Sequence, residues 1–428
     1  MNTTIQHQAP ARIGASTLNP DSLGHLSIAA GDRSKKNRMN ISEETIENLK
    51  SKVKGQIVLP SDPSYDEVRQ IWNAMIDRRP ALIVRCAEAS DVPHAISFAR
   101  ENGLEISIRG AGHNIAGNAL CDNGIMIDFS TMRNVRVDAK KKRAYVEPGA
   151  ILADFDEAAQ RHGLATPVGI NSTTGIAGLT LGGGFGWLTR KYGLTVDNLV
   201  SVDVVTTDGK RIQASENENA DLFWAIRGGG GNFGIVTQFE FNLHQVGPEI
   251  LAGLIVFPFD QARQVLTQYR EFVESAPEEL NVWALLRKAP ALPFLPGDVH
   301  GKEVVVLVTF YAGDVAQGRK LIEPLRRFGD PHGEHIGVQP YAQWQKAFDP
   351  LLTSGARNYW KSHNFTELSD GALDVVFRQM PWRIVIGTQS LCSTCTGDGM
   401  RGQMMSAVLL GLARFSRPLP HTPQMVPM

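Results

Sequence analysis

Long hydrophobic runs are missing from this sequence. No stretch of about 18 consecutive apolar residues occurs, which excludes an ordinary transmembrane helix. The first thirty residues also lack the apolar core of a secretory signal peptide. These two absences lead us to expect a soluble, cytoplasmic protein.

An excess of charge of one sign is also missing. The chain has 43 Lys and Arg against 44 Asp and Glu, a formal net charge of -1. No overall electrostatic field would therefore draw it to nucleic acid or to an anionic membrane. We expect neither as a partner, and a small-molecule substrate fits this composition better.

Cysteine is scarce, with four residues in 428. Four cysteines in so long a chain do not make a disulfide framework. Cys392 and Cys395 form a C-x-x-C pair, which invites a redox or half-zinc-site interpretation. A single pair is weak support for either, and we predict no metal site.

The apolar content, 43%, is enough for two packed domains. Residues 1–40 are polar and lack a sustained apolar period, so we expect a disordered extension. From Pro80 the pattern predicts a βαβ unit: strand 81–84, a helix from Asp91 to Glu101 capped by Ser90, and strand 105–108. After Pro248, alternating strands and amphipathic helices indicate a second domain without repeats.

Glycine is concentrated in three clusters. The first follows a predicted strand, where backbone amides can approach an anion closely. Neither of the first two is a dinucleotide-binding Rossmann fingerprint, because that motif should open a helix soon after the first strand. Glycine also serves loops that need a positive φ, and this interpretation stays open for any single cluster. The clusters are 109–114 (RGAGHN), 175–186 (GIAGLTLGGGFG) and 227–234 (RGGGGNFG).

Four ordered motifs together resemble a known family. They are Arg-Gly-x-Gly-His at 109–113, the glycine-rich 178–186, RKYGL at 190–194 with Asp197 and Asn198, and DLFWAIRGGGGNFGIVT at 221–237. This combination resembles the berberine bridge enzyme-like family, which has the FAD-binding domain of vanillyl-alcohol oxidase, or PCMH type. The resemblance runs from about residue 77 to 247 and, more loosely, to about 375.

The resemblance implies an α+β fold with two parts. Residues 41–248 would form a two-subdomain PCMH-type FAD-binding domain, with its core at about 77–247. Residues 249–376 would form a substrate domain, an antiparallel sheet covered by helices. The cofactor implied is FAD, and the protein would position it and tune its electrostatics.

The same resemblance implies which residues meet the flavin. In such proteins the histidine of the Arg-Gly-x-Gly-His loop bonds covalently to the flavin, and here it is His113. Some relatives add a second bond through a cysteine, but Asn171 stands at that place, so we predict one covalent bond. The cofactor-binding residues implied are Arg109, Gly110, Ala111, Gly112, His113, Asn114, Thr173, Thr174, Gly175, Gly178, Gly182, Gly186, Ile235 and Val236.

The reaction implied is hydride transfer from a small organic substrate to flavin, followed by reoxidation by oxygen or another acceptor. Alcohols, sugars and alkaloid-like molecules all fit. Thr174 replaces an apolar residue often found near the flavin face, which leaves oxidase and dehydrogenase behaviour both open. No catalytic residue and no oligomeric state is assigned.

Residues 377–428 depart from the family pattern. After Val376 the chain is rich in Met, Pro, Arg, Thr and Cys, and the closing Asn-Tyr element of such relatives is not found. A reading-frame shift near Phe377 is one hypothesis for this atypical tail. It leaves two other functions open: a degenerate flavin-binding protein without turnover, and a nucleotide binder that uses no flavin.

Overall fold

The computed structural model describes residues 41–365, 368–378, 383–390 and 403–412. The predicted disordered extension, 1–40, and the Cys392–Cys395 pair lie outside these residues. Within the described ranges, no helix has the length and apolar character needed to cross a membrane.

A small mixed sheet comes first. Its strands are ordered β1-β2-β4-β3, with β4 parallel to both β2 and β3. The strands and helix of the predicted βαβ unit are present, but β2 and β3 do not pair, because the fully buried β4 lies between them. The elements are α1 (Glu43–Lys52), β1 (Gln56–Val58), α2 (Tyr65–Val68), β2 (Leu82–Arg85), α3 (Asp91–Glu101), β3 (Ile106–Arg109) and β4 (Ile125–Asp128).

The start of α3 differs from the prediction. The Ser90 side chain makes no capping hydrogen bond. Instead the buried carboxylate of Asp91 accepts hydrogen bonds from the main-chain N–H groups of Lys54, Gly55 and Ala87. A buried carboxylate needs such donors, so Asp91 joins the α1–β1 connection to the start of α3.

A five-stranded antiparallel sheet follows, ordered β5-β6-β10-β8-β9. Phe239 and Phe241 of β10 are fully buried, and Phe241 packs edge-on against Phe155 at 5.7 Å between ring centroids. The elements are β5 (Val135–Asp138), β6 (Arg143–Val146), α4 (Leu152–Gln160), β7 (Leu164–Ala165), α5 (Ile176–Leu181), α6 (Thr189–Tyr192), β8 (Leu199–Val205), β9 (Arg211–Ser215), α7 (Ala220–Gly229), β10 (Ile235–Asn242) and β11 (His244–Gln245).

The rest of the chain forms a seven-stranded antiparallel sheet, ordered β15-β12-β14-β13-β17-β18-β16. Helices cover one face of it over a core that includes Tyr269 and Leu373. The elements are β12 (Glu249–Pro258), α8 (Ala262–Ser275), β13 (Leu280–Lys288), β14 (Glu303–Tyr311), α9 (Val315–Ile322), β15 (Gly333–Pro340), α10 (Tyr341–Trp344), β16 (Asn358–Phe365), α11 (Asp370–Arg378), β17 (Arg383–Ser390) and β18 (Gln403–Leu412). This confirms the α+β class with an antiparallel sheet covered by helices.

Short 3-10 helices complete the described structure. They are Thr195–Asn198, Gly230–Phe233, Phe259–Gln261, Gly297–Val299, Glu323–Arg327 and Asp349–Leu351.

Two strands, β17 and β18, lie in the atypical segment 377–428. β17 pairs with β13, β18 pairs with β17 and β16, and Ile386 of β17 is fully buried. Main-chain hydrogen bonds on both edges hold an interior strand, and they do not require an alternating pattern of side chains. The reading-frame hypothesis and the domain boundary at 376 stay predictions.

An aromatic cluster joins the other face of the seven-stranded sheet to the preceding part of the chain. The Trp187 ring lies 4.5 Å from Trp283 of β13 and 5.3 Å from Trp344 of α10, between centroids. All three side chains are buried. The segment that follows α10 is thereby held against the helices of the first half.

A buried carboxyl lies at this junction. Asp156 of α4 accepts a 3.1 Å hydrogen bond from Nε2 of Gln345, which follows α10. Burial raises the pKa of Asp156 to about 7. The other carboxyl oxygen, Oδ1, and Gln345 Oε1 have no hydrogen-bond partner among the described residues. A neutral side chain suits this environment better than a carboxylate.

We expect Asp156→Asn to stabilise the chain at alkaline pH. The folded chain keeps the Asp156 proton up to pH about 7, whereas the unfolded chain loses it near 3.8, so the free energy of unfolding of wild type falls as pH rises through that window. The amide has no proton to lose, and the gain at pH 8 is on the order of 4 kcal/mol.

Denaturant unfolding at pH 5 and pH 8 measures this, with Asp298→Asn, an exposed aspartate, as the control. An Asp156→Asn gain that is no larger at pH 8 than at pH 5 would show that the carboxyl is not held protonated.

Candidate functional site

The loop with the candidate attachment residue begins where β3 ends. Arg109 is the last residue of β3, and His113 follows four positions later. Gly112 has φ +74, and a Cβ there would lie 3.4 Å from Ile71. Its carbonyl accepts a 3.1 Å hydrogen bond from the main-chain N–H of Trp72. This glycine lets the loop turn while lying against the 71–72 segment.

Two hydroxyls and an indole surround the His113 ring. Thr173 Oγ1 lies 3.0 Å from Nε2, and Thr174 Oγ1 lies 3.4 Å from Nδ1. The Trp72 ring stacks on the imidazole at 5.1 Å between centroids. Burial lowers the pKa of His113 to about 4, and the negative charge of Asp349 opposes this. The imidazole is therefore neutral at physiological pH.

A cavity of about 480 Å³ opens beside this histidine. Its wall combines the glycine loop, the 70–72 segment, the end of β4 and the chain around the 349–351 helix. The lining residues are Gln70, Ile71, Trp72, Arg109, Gly110, Ala111, His113, Ser130, Arg133, Gly149, Ile151, Thr173, Asp349, Leu352, Thr353 and Ser354.

Five of the predicted cofactor-binding residues line this cavity, namely Arg109, Gly110, Ala111, His113 and Thr173. Thr174 and Gly175 are not in the lining but contact residues that are. Thr174 Oγ1 lies 3.4 Å from His113 Nδ1, and a Cβ on Gly175 would lie 2.8 Å from Ala111 N. Gly112, Asn114, Gly178, Gly182, Gly186, Ile235 and Val236 are not in the lining.

The predicted residues outside the lining have other surroundings. Asn114 is exposed and accepts a hydrogen bond from Asn118 N. Gly186 packs so closely that a Cβ would be 1.9 Å from Val168 O, whereas Gly178 on α5 faces open space. Ile235 and Val236 are both 5% exposed at the start of β10. The contacts predicted for these residues stay predictions.

Sequence reasoning missed the far wall of the cavity. Asp349 accepts hydrogen bonds from Ser172 N at 2.9 Å and Ser172 Oγ at 2.5 Å. Trp72 contacts both His113 and Trp360 of β16. Neither Asp349 nor Trp72 lies in a motif, and no spacing in the sequence indicated that they meet His113.

The chemical groups on the cavity wall suit FAD. Gly110 and Gly149 line it, and a Cβ at these positions would lie 3.0 Å from Pro148 O and 1.7 Å from Phe129 O respectively, so the chain packs here too closely for a side chain. One buried donor on the wall, Trp72 Nε1, has no acceptor among the described residues. A glycine loop that follows a strand, together with an unpaired indole N–H and a flat indole ring, suits a phosphate-bearing planar ligand.

Arg109 is not a free cation at this wall. Its Nε lies 3.5 Å from Asp128 Oδ1, and its Nη1 donates to the main-chain oxygen of Val68. Asp128 is fully buried and also pairs with Arg85. Because Asp128 already balances its charge, Arg109 brings no unpaired positive charge to the wall.

A family of FAD binding domains matches residues 80–215, a range that includes His113 and the second glycine cluster. The chain is 35% identical over 301 residues to an FAD-linked oxidoreductase of Dictyostelium discoideum, covering 70% of this chain and 63% of that protein. It is 40% identical over 205 residues to the (R)-6-hydroxynicotine oxidase of Paenarthrobacter nicotinovorans, covering 48% and 45%. The chain thus spans less than two thirds of these relatives' lengths.

A longer match is with the uncharacterized FAD-linked oxidoreductase YgaK of Bacillus subtilis. It is 32% identical over 334 residues and covers 76% of this chain and 71% of that protein. Among solved structures, 6-hydroxy-D-nicotine oxidase from Arthrobacter nicotinovorans superposes with a TM-score of 0.73 at 27% identity, covering 84% and 81% of the two chains.

Physcomitrella patens BBE-like 1 superposes with a TM-score of 0.76 at 21% identity, covering 87% of this chain and 84% of that one, which shows the shared fold. The chain therefore belongs to the FAD-linked oxidoreductases, it shares the fold of a berberine bridge enzyme-like protein, and its cofactor is FAD.

Proposed function

We propose that this oxidoreductase takes a hydride from a small organic substrate onto FAD that is bound covalently through His113. Dioxygen or another acceptor would then reoxidise the cofactor. The observation that carries the proposal is the state of His113, a partly buried and neutral imidazole at the wall of the cavity.

A neutral imidazole has a ring nitrogen with a free lone pair, and the nucleophile in a covalent attachment needs one. A protonated imidazole donates at both nitrogens and cannot attack. Burial therefore prepares His113 for bond formation, and its contacts with Thr173 and Thr174 fix the direction of the ring.

The substrate class is proposed more broadly. One relative is named for its oxidation of 6-hydroxynicotine, an alkaloid-type molecule, and matches just under half of this chain. Alcohols, sugars and alkaloid-like molecules remain the proposed range. The bound FAD supplies the hydride acceptor, and the protein determines which C–H bond can approach it.

We expect flavin colour to stay with the acid-denatured wild-type chain and to be lost from His113→Ala. The variant has no ring nitrogen at the attachment point, while the rest of the cavity is unchanged. Absorbance of the acid precipitate and its supernatant measures the covalently held fraction.

His94→Ala, on the exposed face of α3, is the matched control and should keep its flavin. Colour released from folded wild-type chain would refute covalent attachment. Covalent colour with no bleaching by alcohols, sugars or alkaloids would favour a flavin-binding protein without turnover.

The pH dependence of attachment follows from the state of His113. Its pKa of about 4 predicts that covalent incorporation into flavin-free chain at pH 5 stays within about two-fold of the rate at pH 8. A histidine with an ordinary pKa near 6.5 would be mostly protonated at pH 5, and the rate would fall roughly thirty-fold.

At each pH, samples are taken at intervals and denatured in acid, and the flavin that stays with the chain gives the rate of covalent incorporation. Reversible FAD binding is measured at the same pH values, so that weaker binding is not mistaken for slower bond formation. A thirty-fold fall at constant binding would contradict a neutral buried imidazole.

A further inference from the structure

Asn171 stands where some relatives have a cysteine, and its amide has a fixed orientation. Nδ2 donates a 3.0 Å hydrogen bond to the main-chain oxygen of Leu352. Oδ1 accepts a 2.9 Å hydrogen bond from the main-chain N–H of Thr173. A carbonyl only accepts and an N–H only donates, so these two contacts settle which end of the amide is which.

That orientation determines what the Thr173 hydroxyl does. Its Oγ1 lies 2.6 Å from Asn171 Oδ1, an oxygen that only accepts, so Thr173 donates its one hydroxyl proton there. The same Oγ1 lies 3.0 Å from His113 Nε2. With its proton already used, the hydroxyl can only accept from the imidazole.

His113 must therefore carry its proton on Nε2. A neutral imidazole has one N–H, so the lone pair lies on Nδ1, 3.4 Å from Thr174 Oγ1. Asn171 is 7% exposed and its contact with the Thr173 hydroxyl is partly buried, whereas Thr173 itself is exposed on the cavity side. The chain of contacts runs from Leu352 through Asn171 and Thr173 to His113.

We propose that Asn171, acting through Thr173, is a positioning residue that holds His113 as the Nε2-protonated tautomer and thereby selects Nδ1 as the nitrogen that bonds to the flavin. This inference rests on the proposed covalent function. On this proposal Asn171 does more than replace the cysteine that forms a second covalent bond in some relatives, because it positions His113.

The bond-forming step balances with dioxygen as the oxidant. Nδ1 supplies the lone pair for the new bond to the methyl carbon of the flavin's benzene-like ring, and one C–H bond of that methyl breaks. One methyl proton and the Nε2 proton are released. The two electrons of the broken C–H bond pass through the flavin ring to dioxygen, which takes up two protons and becomes hydrogen peroxide.

Two readouts test the inference without relying on turnover. In flavin-free full-length chain labelled with 15N-histidine, long-range 1H–15N NMR distinguishes the two tautomers, and comparison with His113→Ala assigns the His113 signals. In the holoenzyme, digestion and NMR of the flavin peptide show which nitrogen is bonded. We expect an Nε2–H tautomer and an Nδ1 link.

Two variants separate positioning from simple support. Asn171→Ala frees the Thr173 proton for donation to Nε2, so the tautomer ratio should shift towards Nδ1–H by about five-fold, the scale of one neutral hydrogen bond. Thr173→Val is nearly isosteric and removes the acceptor, so Nδ1-linked attachment should slow by about five-fold. Thr206→Val, in the turn after β8, is the matched control and should change neither.

The outcomes separate the inference from the proposed function. A flavin linked through Nε2, or a His113 tautomer that Asn171→Ala leaves unchanged in a folded chain, would overturn the inference while covalent attachment stands. If no covalent flavin forms, the proposed function fails, and the NMR of wild type and Asn171→Ala still decides whether Asn171 sets the tautomer.

Discussion

The hydrogen bonds that Ser172 donates to Asp349 hold the site together. The loop 169–174 has no regular secondary structure, and the chain after α10 fixes it at three points: Gln345 Nε2 to Gly169 O at 3.2 Å, Ser172 to Asp349, and Asn171 to Leu352 O. The next two residues of the loop contact both nitrogens of His113. The position of the histidine thus depends on a segment more than 230 residues away in sequence.

Burial and charge act on His113 in opposite directions. Burial lowers its pKa to about 4, and the negative charge of Asp349 opposes this less strongly. The outcome is a neutral ring that lies close to a negative charge. Such a ring keeps its nucleophilic lone pair at neutral pH, while the nearby carboxylate would stabilise the positive charge that develops during bond formation. Hydrogen bonds to Ser172 hold that carboxylate in place.

Local signals in the sequence were enough for the core of the fold. The helix from Asp91 to Glu101 was predicted with its exact bounds, because the pattern of apolar residues that marks a helix is a local feature. The order β2-β4-β3 was not predictable in this way, since pairing depends on contacts between distant segments. β18 was missed for a related reason, because both of its edges are paired and its apolar run does not alternate.

Five of the sixteen residues that line the cavity were predicted from the sequence. Arg-Gly-x-Gly-His placed Arg109, Gly110, Ala111 and His113 at the cavity, because a glycine loop after a strand brings its neighbours to one place. Trp72 and Asp349 follow no motif and reach the cavity only through tertiary packing. Asn171 was noticed for the cysteine it replaces, but its contact with Leu352 O lies between segments that no pattern connects.

The central claim is that FAD is bound to this chain through His113, and the most direct test is mass spectrometry of the denatured, purified holoprotein and its peptides. The account predicts an intact mass that exceeds the sequence by one FAD, with the added mass confined to the peptide that contains His113. A folded, yellow protein whose denatured chain has the mass of the sequence alone, or whose flavin maps to another peptide, would contradict it.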